Sequence, residues 1–145
     1  MSELEVILDI IIVSILLFMS VLMLAVFIQR HSMLKRLNVE RFSSETALSI
    51  QATKGLNLIS IVASNAPYVG LLGTVFGILI TFYNMGQSGA IEASEIMVGL
   101  ALALRATAFG LLVAIPATIL YTISLRKAEV KVAEWKVLNG SDDAK

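Results

Sequence analysis

Three long stretches without a charged side chain constrain this chain more than any other feature of its 145 residues. The first lies between Asp9 and Arg30, the second between Lys54 and Glu92, and the third between Glu95 and Arg126, interrupted only by Arg105. About 20 apolar residues in a helix cross a hydrocarbon layer roughly 30 Å thick. The expected fold is therefore an all-α integral membrane chain with three transmembrane helices, at about residues 8–30, 63–85 and 96–125. Met1 to Asp9 is acidic, the first core is long, and no small-residue cleavage site follows, so this run reads as a retained span rather than a targeting peptide.

Composition agrees. Hydrophobic residues make up 57% of the chain, above the roughly 45–50% of soluble domains, and only 15% are charged. Eleven basic and eleven acidic residues cancel, which leaves no global positive field for nucleic acid. The chain has no cysteine and a single histidine, so disulfides, thiolate chemistry and a metal cage built from these ligands are not expected. No nucleophile, base and orienting group converge in a readable motif, so neither enzyme chemistry nor a cofactor is expected.

The charges sort by side. Arg30, Lys35, Arg36, Arg41 and Lys54 follow the first run, and Arg126, Lys127, Lys131, Lys136 and Lys145 follow the third. Glu3, Glu5, Asp9, Glu92 and Glu95 occupy the other two flanks. The positive-inside rule then places residues 31–62 and 126–145 in the cytoplasm, and residues 1–7 and 86–95 outside, with the N-terminus out and the C-terminus in. Leu48, Gly55, Ile59 and Val62 recur near helical spacing, which predicts an amphipathic helix leading into span two, with Asn38 ending the helix before it. Leu125, Ala128, Val132 and Trp135 form an apolar stripe away from Lys127, Lys131 and Glu134, so span three is expected to continue as a cytoplasmic helix. Gly140 to Lys145 reads as a frayed tail.

Small residues line two of the spans. Gly70, Gly73 and Gly77 share one helical side, and Gly99, Ala103, Ala106, Gly110 and Ala117 repeat the pattern in span three. Lipid supplies no hydrophobic drive for helix pairing, so such seams work by close backbone approach. They also suggest assembly beyond a monomer. A phosphate-cradling loop is disfavoured, because no Lys-Ser or Lys-Thr follows the glycines. Pro67 and Pro116 predict local bends, and Pro116 is grouped with Gly70, Gly73, Gly77 and Gly110 as a packing position. Thr74 and Thr81 share a face, as do Thr107, Thr118 and Thr122. Each hydroxyl can bond a carbonyl one turn back, or Thr74 and Thr107 can line a polar strip.

Arg105 is the one charge inside these two spans. It stands 21 helical steps before Arg126, about 31 Å, so it either snorkels at the outer boundary or pairs with a carboxylate. Glu92, Glu95 or an acid of another subunit are the expected partners. No Asp, Glu, His or Lys occurs between Gly55 and Ile91 or between Ile96 and Leu125. Arginine stays protonated in proteins, so these two spans cannot carry a proton by themselves.

The runs Ala-Pro-Tyr-Val-Gly-Leu-Leu-Gly-Thr-Val-Phe-Gly, from Ala66 to Gly77, and Ala-Thr-Ala-Phe-Gly-Leu-Leu-Val-Ala-Ile-Pro-Ala, from Ala106 to Ala117, resemble the signature segments of the MotA/TolQ/ExbB proton-channel family, and within it the ExbB branch. The resemblance implies a bacterial inner-membrane protein forming a homo-oligomeric, pentameric ring in the lipid bilayer. It implies an ExbD-like single-span partner with an intramembrane aspartate inside that ring, and a TonB-like protein that drives outer-membrane import. It puts the family's polar pore positions on Thr74 and Thr107. The family's glutamate falls on Leu102, so that acid is absent, and Arg105 stands nearby instead. Set beside longer members, the resemblance also implies a short form, without their N-terminal periplasmic extension and with a reduced cytoplasmic portion. Rival readings are a TolQ-like or MotA-like stator, a stand-alone homo-oligomeric channel or transporter, and a purely structural assembly protein.

Overall fold

The computed structural model describes residues 3–88 and 93–140. Glu92 and the expected tail after Gly140 lie outside the described residues. The chain runs through α1 (Glu3–Arg36), a 3-10 turn (Val39–Arg41), α2 (Glu45–Thr53), α3 (Leu56–Ser88) and α4 (Ala93–Leu138). Three of these helices, α1, α3 and α4, are long and apolar enough to cross a membrane. Glu3 and Glu5 in the first turn of α1 and Lys35 and Arg36 in its last turn match the sign of the helix dipole at each end. Both prolines are carried inside unbroken helices, Pro67 in α3 and Pro116 in α4.

The segment between the first two long helices differs from the expectation in two places. Helix α1 ends at Arg36, and Asn38 caps the 3-10 turn instead, its side chain accepting from the Glu40 amide at 3.0 Å. The stripe Leu48, Gly55, Ile59 and Val62 does not belong to one helix. Leu48 sits in α2, Ile59 and Val62 sit in α3, all three are buried, and Gly55 makes the turn between them with φ +83°. That left-handed conformation is inexpensive only without a Cβ, so the glycine breaks the periodicity it seemed to extend. Ser44 starts α2 by accepting from the Ala47 amide at 3.2 Å.

The long helices pack with definite directions. Along α3 and α4, Gly70 meets Ala106, Thr107 and Gly110, Gly77 meets Ala103, and Thr81 meets Gly99, so each step along one helix is a step back along the other. They are antiparallel. Helices α1 and α4 instead touch at Asp9 with Arg105 and at His31 with Lys127, two contacts with the same sequence separation of 96. They are parallel and in register. The two contacts stand 22 residues apart on both helices, about 33 Å, close to one hydrocarbon thickness.

The core follows from this arrangement. Ile12 and Leu16 of α1 close over Ala66 of α3 and Ala106 and Ala114 of α4, and one layer further along Met23 meets Ile59, Val62 and Ala117. Helix α4 has 46 residues, about 69 Å, so a good part of it projects past any single hydrocarbon layer. Its projecting end is clothed by the short elements. Leu34 and Ala52 pack on Ala128, the Trp135 indole donates to the Phe42 carbonyl at 3.0 Å, and Lys136 pairs with Glu45 at 2.9 Å. Large apolar side chains such as Phe18, Ile28, Leu72, Leu79 and Leu112 point outward and are more than half exposed in the single chain or close to it. Such a surface needs lipid or further helices against it.

Candidate functional site

The seam between α3 and α4 is set by backbone contact. A Cβ at Gly70 would stand 2.8 Å from the Ala106 carbonyl oxygen and 3.0 Å from the Gly110 Cα. One at Gly110 would stand 2.7 Å from the Ala66 carbonyl oxygen, one at Gly73 2.7 Å from the Ala106 Cβ, and one at Gly77 2.8 Å from the Ala103 Cβ. The four glycines are therefore packing positions that no larger residue could fill without the helices parting. Pro116 packs on neither neighbouring helix within the single chain. It is exposed, because Ala114 and Ala117 take the packed side of that turn and a residue between them falls on the other face.

Close approach brings the two expected threonines together. Thr74 is buried and Thr107 half-buried, and their hydroxyl oxygens lie 2.5 Å apart. Thr74 Oγ1 also lies 3.2 Å from the Ala103 carbonyl on α4 and 3.3 Å from the Gly70 carbonyl one turn back. A hydroxyl has one hydrogen to give. Either threonine can therefore donate to the other, and when Thr107 does so Thr74 is left to donate to one of the two carbonyls. The Thr107 oxygen then keeps an unused accepting side. The remaining threonines behave locally. Thr81 donates to Gly77, Thr118 to Ala114 and Thr122 to Thr118, each bond 2.9 Å long and four residues back.

Arg105 does not pair as expected. Its guanidinium donates to the Asp9 carboxylate of α1 rather than to Glu95, and both side chains stay partly exposed in the single chain. The reason is register. Residues on one face of parallel helices meet whatever their separation along the chain, and only packing fixes that separation. Leu102, the position without an acid, faces the same end of the bundle. With Glu5, Asp9, Thr81 and Gly99 it lines a small cavity of about 20 Å³. Where α4 offers no carboxylate, α1 brings two to the lining.

The segment from residue 21 to 137 matches the MotA/TolQ/ExbB proton channel family. The chain belongs to that family. It is 52% identical, over 97% of its own length and 95% of the relative's, to the biopolymer transport protein ExbB of Aquifex aeolicus. It is 43% identical to ExbB of Helicobacter pylori strain J99 over 90% of each chain. A putative ExbB-like protein 2 of Helicobacter pylori is 42% identical over 88% of this chain and 85% of the relative. This member of the MotA/TolQ/ExbB family is thus a membrane protein whose similarity to ExbB proteins runs nearly end to end.

Two features of this family member escaped the sequence. Asp9 looked like a flank charge, yet it is the partner of Arg105. Arg30 looked like a topology marker, yet it is buried at 4% exposure and donates to the Ala52 carbonyl at 2.6 Å. Among the described residues its Nε and Nη1 have no partner. Ala52 lies in the last turn of α2, where carbonyls lack helical donors, so the arginine ties off that end. The Gly55 turn passes beside it, with the position of a Cβ there 3.5 Å from Arg30 Cδ. The only warning in the sequence was the break signalled by Lys54-Gly55, which freed a helix terminus in need of a donor.

Proposed function

We propose that this chain is the ring-forming stator and proton-channel subunit of an ExbB–ExbD-type machine in the bacterial inner membrane, one that uses proton-motive force to energise TonB-dependent outer-membrane transport. Five copies surround a pair of helices from an ExbD-like single-span partner. Residues 8–30, 63–85 and 96–125 cross the bilayer, residues 1–7 and 86–95 are periplasmic, and residues 31–62 and 126–145 are cytoplasmic. The N-terminus is periplasmic and the C-terminus cytoplasmic.

The contact between Thr74 and Thr107 carries this reading. It is a polar point in a seam where neither apolar run contains Asp, Glu, His or Lys. Hydroxyls can relay hydrogen bonds but do not hold a proton near neutral pH, so the acid that loads and unloads must come from the partner's intramembrane aspartate. Thr107, with an accepting side left open, receives the hydrogen of that protonated acid or of a water beside it. Thr74 fixes the orientation of Thr107 through the chain that ends on the Ala103 or Gly70 carbonyl. Deprotonation of the partner then changes its charge inside the ring and shifts or rotates it against walls that the glycine seam keeps rigid.

Reconstituted vesicles test the proposal. Proton flux is expected only with both proteins present, and it should vanish when the partner aspartate becomes asparagine. Thr74→Val should impair flux more than assembly. Undiminished flux from this chain alone would reject the scheme, and equal loss of oligomer and flux in Thr74→Val would reduce the threonine to a packing role.

A further inference from the structure

Beside the hydrogen bond that Lys127 donates to His31, α1 and α4 leave a cleft of about 380 Å³, within the range of small-ligand sites. Lys35, Arg126, Lys127 and Lys131 line it, with Leu34 and Val130 between them. Among the described residues no acid contributes to the lining. Arg126 and Lys131 each have a glutamate three residues on, Glu129 at 3.5 Å and Glu134 at 2.8 Å. Exposed pairs of that kind contribute little and are easily exchanged for another anion. Lys35 and Lys127 form no ion pair among the described residues, and Lys127 Nζ rests 3.1 Å from Nδ1 of His31, which can only accept from it. The ammonium groups of Lys127 and then Lys35, with some burial between, hold His31 below the ordinary histidine range, which marks the cleft as a site of uncompensated positive potential.

Its position adds a second constraint. The contact of His31 with Lys127 stands about 33 Å along the helices from that of Asp9 with Arg105, so the cations sit at the edge of a hydrocarbon layer. Toward the membrane, Ile28 and Ile123 continue the same two helices with exposed apolar side chains. An occupant must therefore be anionic at the cleft and apolar below it.

We propose that this cleft binds the phosphate of an anionic phospholipid, with the phosphate among Lys35, Lys127 and Arg126 and the acyl chains along Ile28 and Ile123. Basic pockets between helices at the cytoplasmic boundary are suited to such headgroups. Assigning the lipid to the cytoplasmic leaflet rests on the orientation proposed above. Binding itself does not, so it is measured in detergent, where no side is defined and no proton flux is read.

The full-length homo-oligomer, stripped of lipid, is titrated by native mass spectrometry with phosphatidylglycerol, with phosphatidylcholine and with inorganic phosphate. Phosphatidylglycerol is expected to be retained and phosphatidylcholine not. Inorganic phosphate at equal concentration should leave the bound phosphatidylglycerol in place. Joint replacement Lys35→Gln and Lys127→Gln should weaken retention about thirtyfold. Lys35→Arg with Lys127→Arg should preserve it, and so should Lys136→Gln, whose side chain pairs with Glu45 away from the cleft. Equal retention of the two lipids, or undiminished retention in an intact glutamine variant, overturns the proposal. Displacement by inorganic phosphate would make this a free-anion site and overturns the lipid assignment. Should the glutamine variant fail to assemble, loss of retention in an assembled arginine variant overturns it equally. Cross-links from position 127 to an acidic protein segment, with no lipid retained, would do the same.

Discussion

Helix α4 is gripped in two unlike ways. Against α3 it makes a seam of backbone on backbone, with Gly70 and Gly110 each barring a Cβ on the other. Against α1 it meets bulky side chains, Ile12, Leu16 and Met23, and is registered by polar contacts near the two ends of the apolar stretch, Asp9 with Arg105 and His31 with Lys127. The first contact has no slack, since shape alone sets it, and it is the one that holds Thr74 to Thr107. The second tolerates changes of volume, which flexible side chains absorb, and depends on charge for its register. The difference teaches that precision in this molecule lies between α3 and α4, and that α1 acts as a strut positioned by its ends.

The comparison breaks most visibly at the glycines. Gly110→Val should separate α3 from α4, cost about 3 kcal/mol, and abolish assembly and flux together in thermal-melting and vesicle assays. Gly86→Ala in α3, where nothing lies within 4 Å of the added carbon, should leave both unchanged and serves as the control away from the seam. A destabilised Gly86 variant would show that glycine content rather than the seam matters.

A smaller effect is expected inside the seam. Thr107→Val retains the shape of the side chain and removes the hydroxyl that is hydrogen-bonded to Thr74. Oligomer mass should stay unchanged while flux with the partner falls about tenfold, the rate equivalent of one hydrogen bond near 1.4 kcal/mol. Flux equal to the parent's would remove Thr107 from the pathway.

At the strut, Asp9→Asn and Arg105→Gln should each cost no more than about 1 kcal/mol, because both side chains are partly exposed. A double-mutant cycle should show coupling of similar size, and the exchange Asp9→Arg with Arg105→Asp should recover part of it. Strict additivity would mean that the pair contributes nothing to the register of α1.

The smallest effect belongs to His31. Lys127 first and Lys35 last among its causes hold its titration below the ordinary value, with burial between them. The folded chain then binds the His31 proton less readily than the unfolded one, so this contribution to stability is present above the ordinary histidine pKa of about 6.5 and is lost as pH falls below it. Resonance titration should place the midpoint on the acid side, and Lys127→Gln should move it upward. An unmoved midpoint would place the positive potential elsewhere.

Much of this architecture was legible in the chain itself. Charge-free runs longer than a hydrocarbon thickness require membrane helices, and spacing of three and four residues puts Gly70, Gly73 and Gly77 on one side before any partner is known. Thr74 and Thr107 are embedded in those same local patterns, so they could be picked out early. Packing alone decided the rest. That Asp9 meets Arg105 depends on the offset between two helices 96 residues apart, and no periodicity within either helix encodes it. The outward face of Pro116, the burial of Arg30 and the division of the Leu48 to Val62 stripe at Gly55 are likewise outcomes of neighbours. Spacing along a chain fixes which residues share a face, whereas the register and partner of that face depend on contacts that exist only after the helices have met.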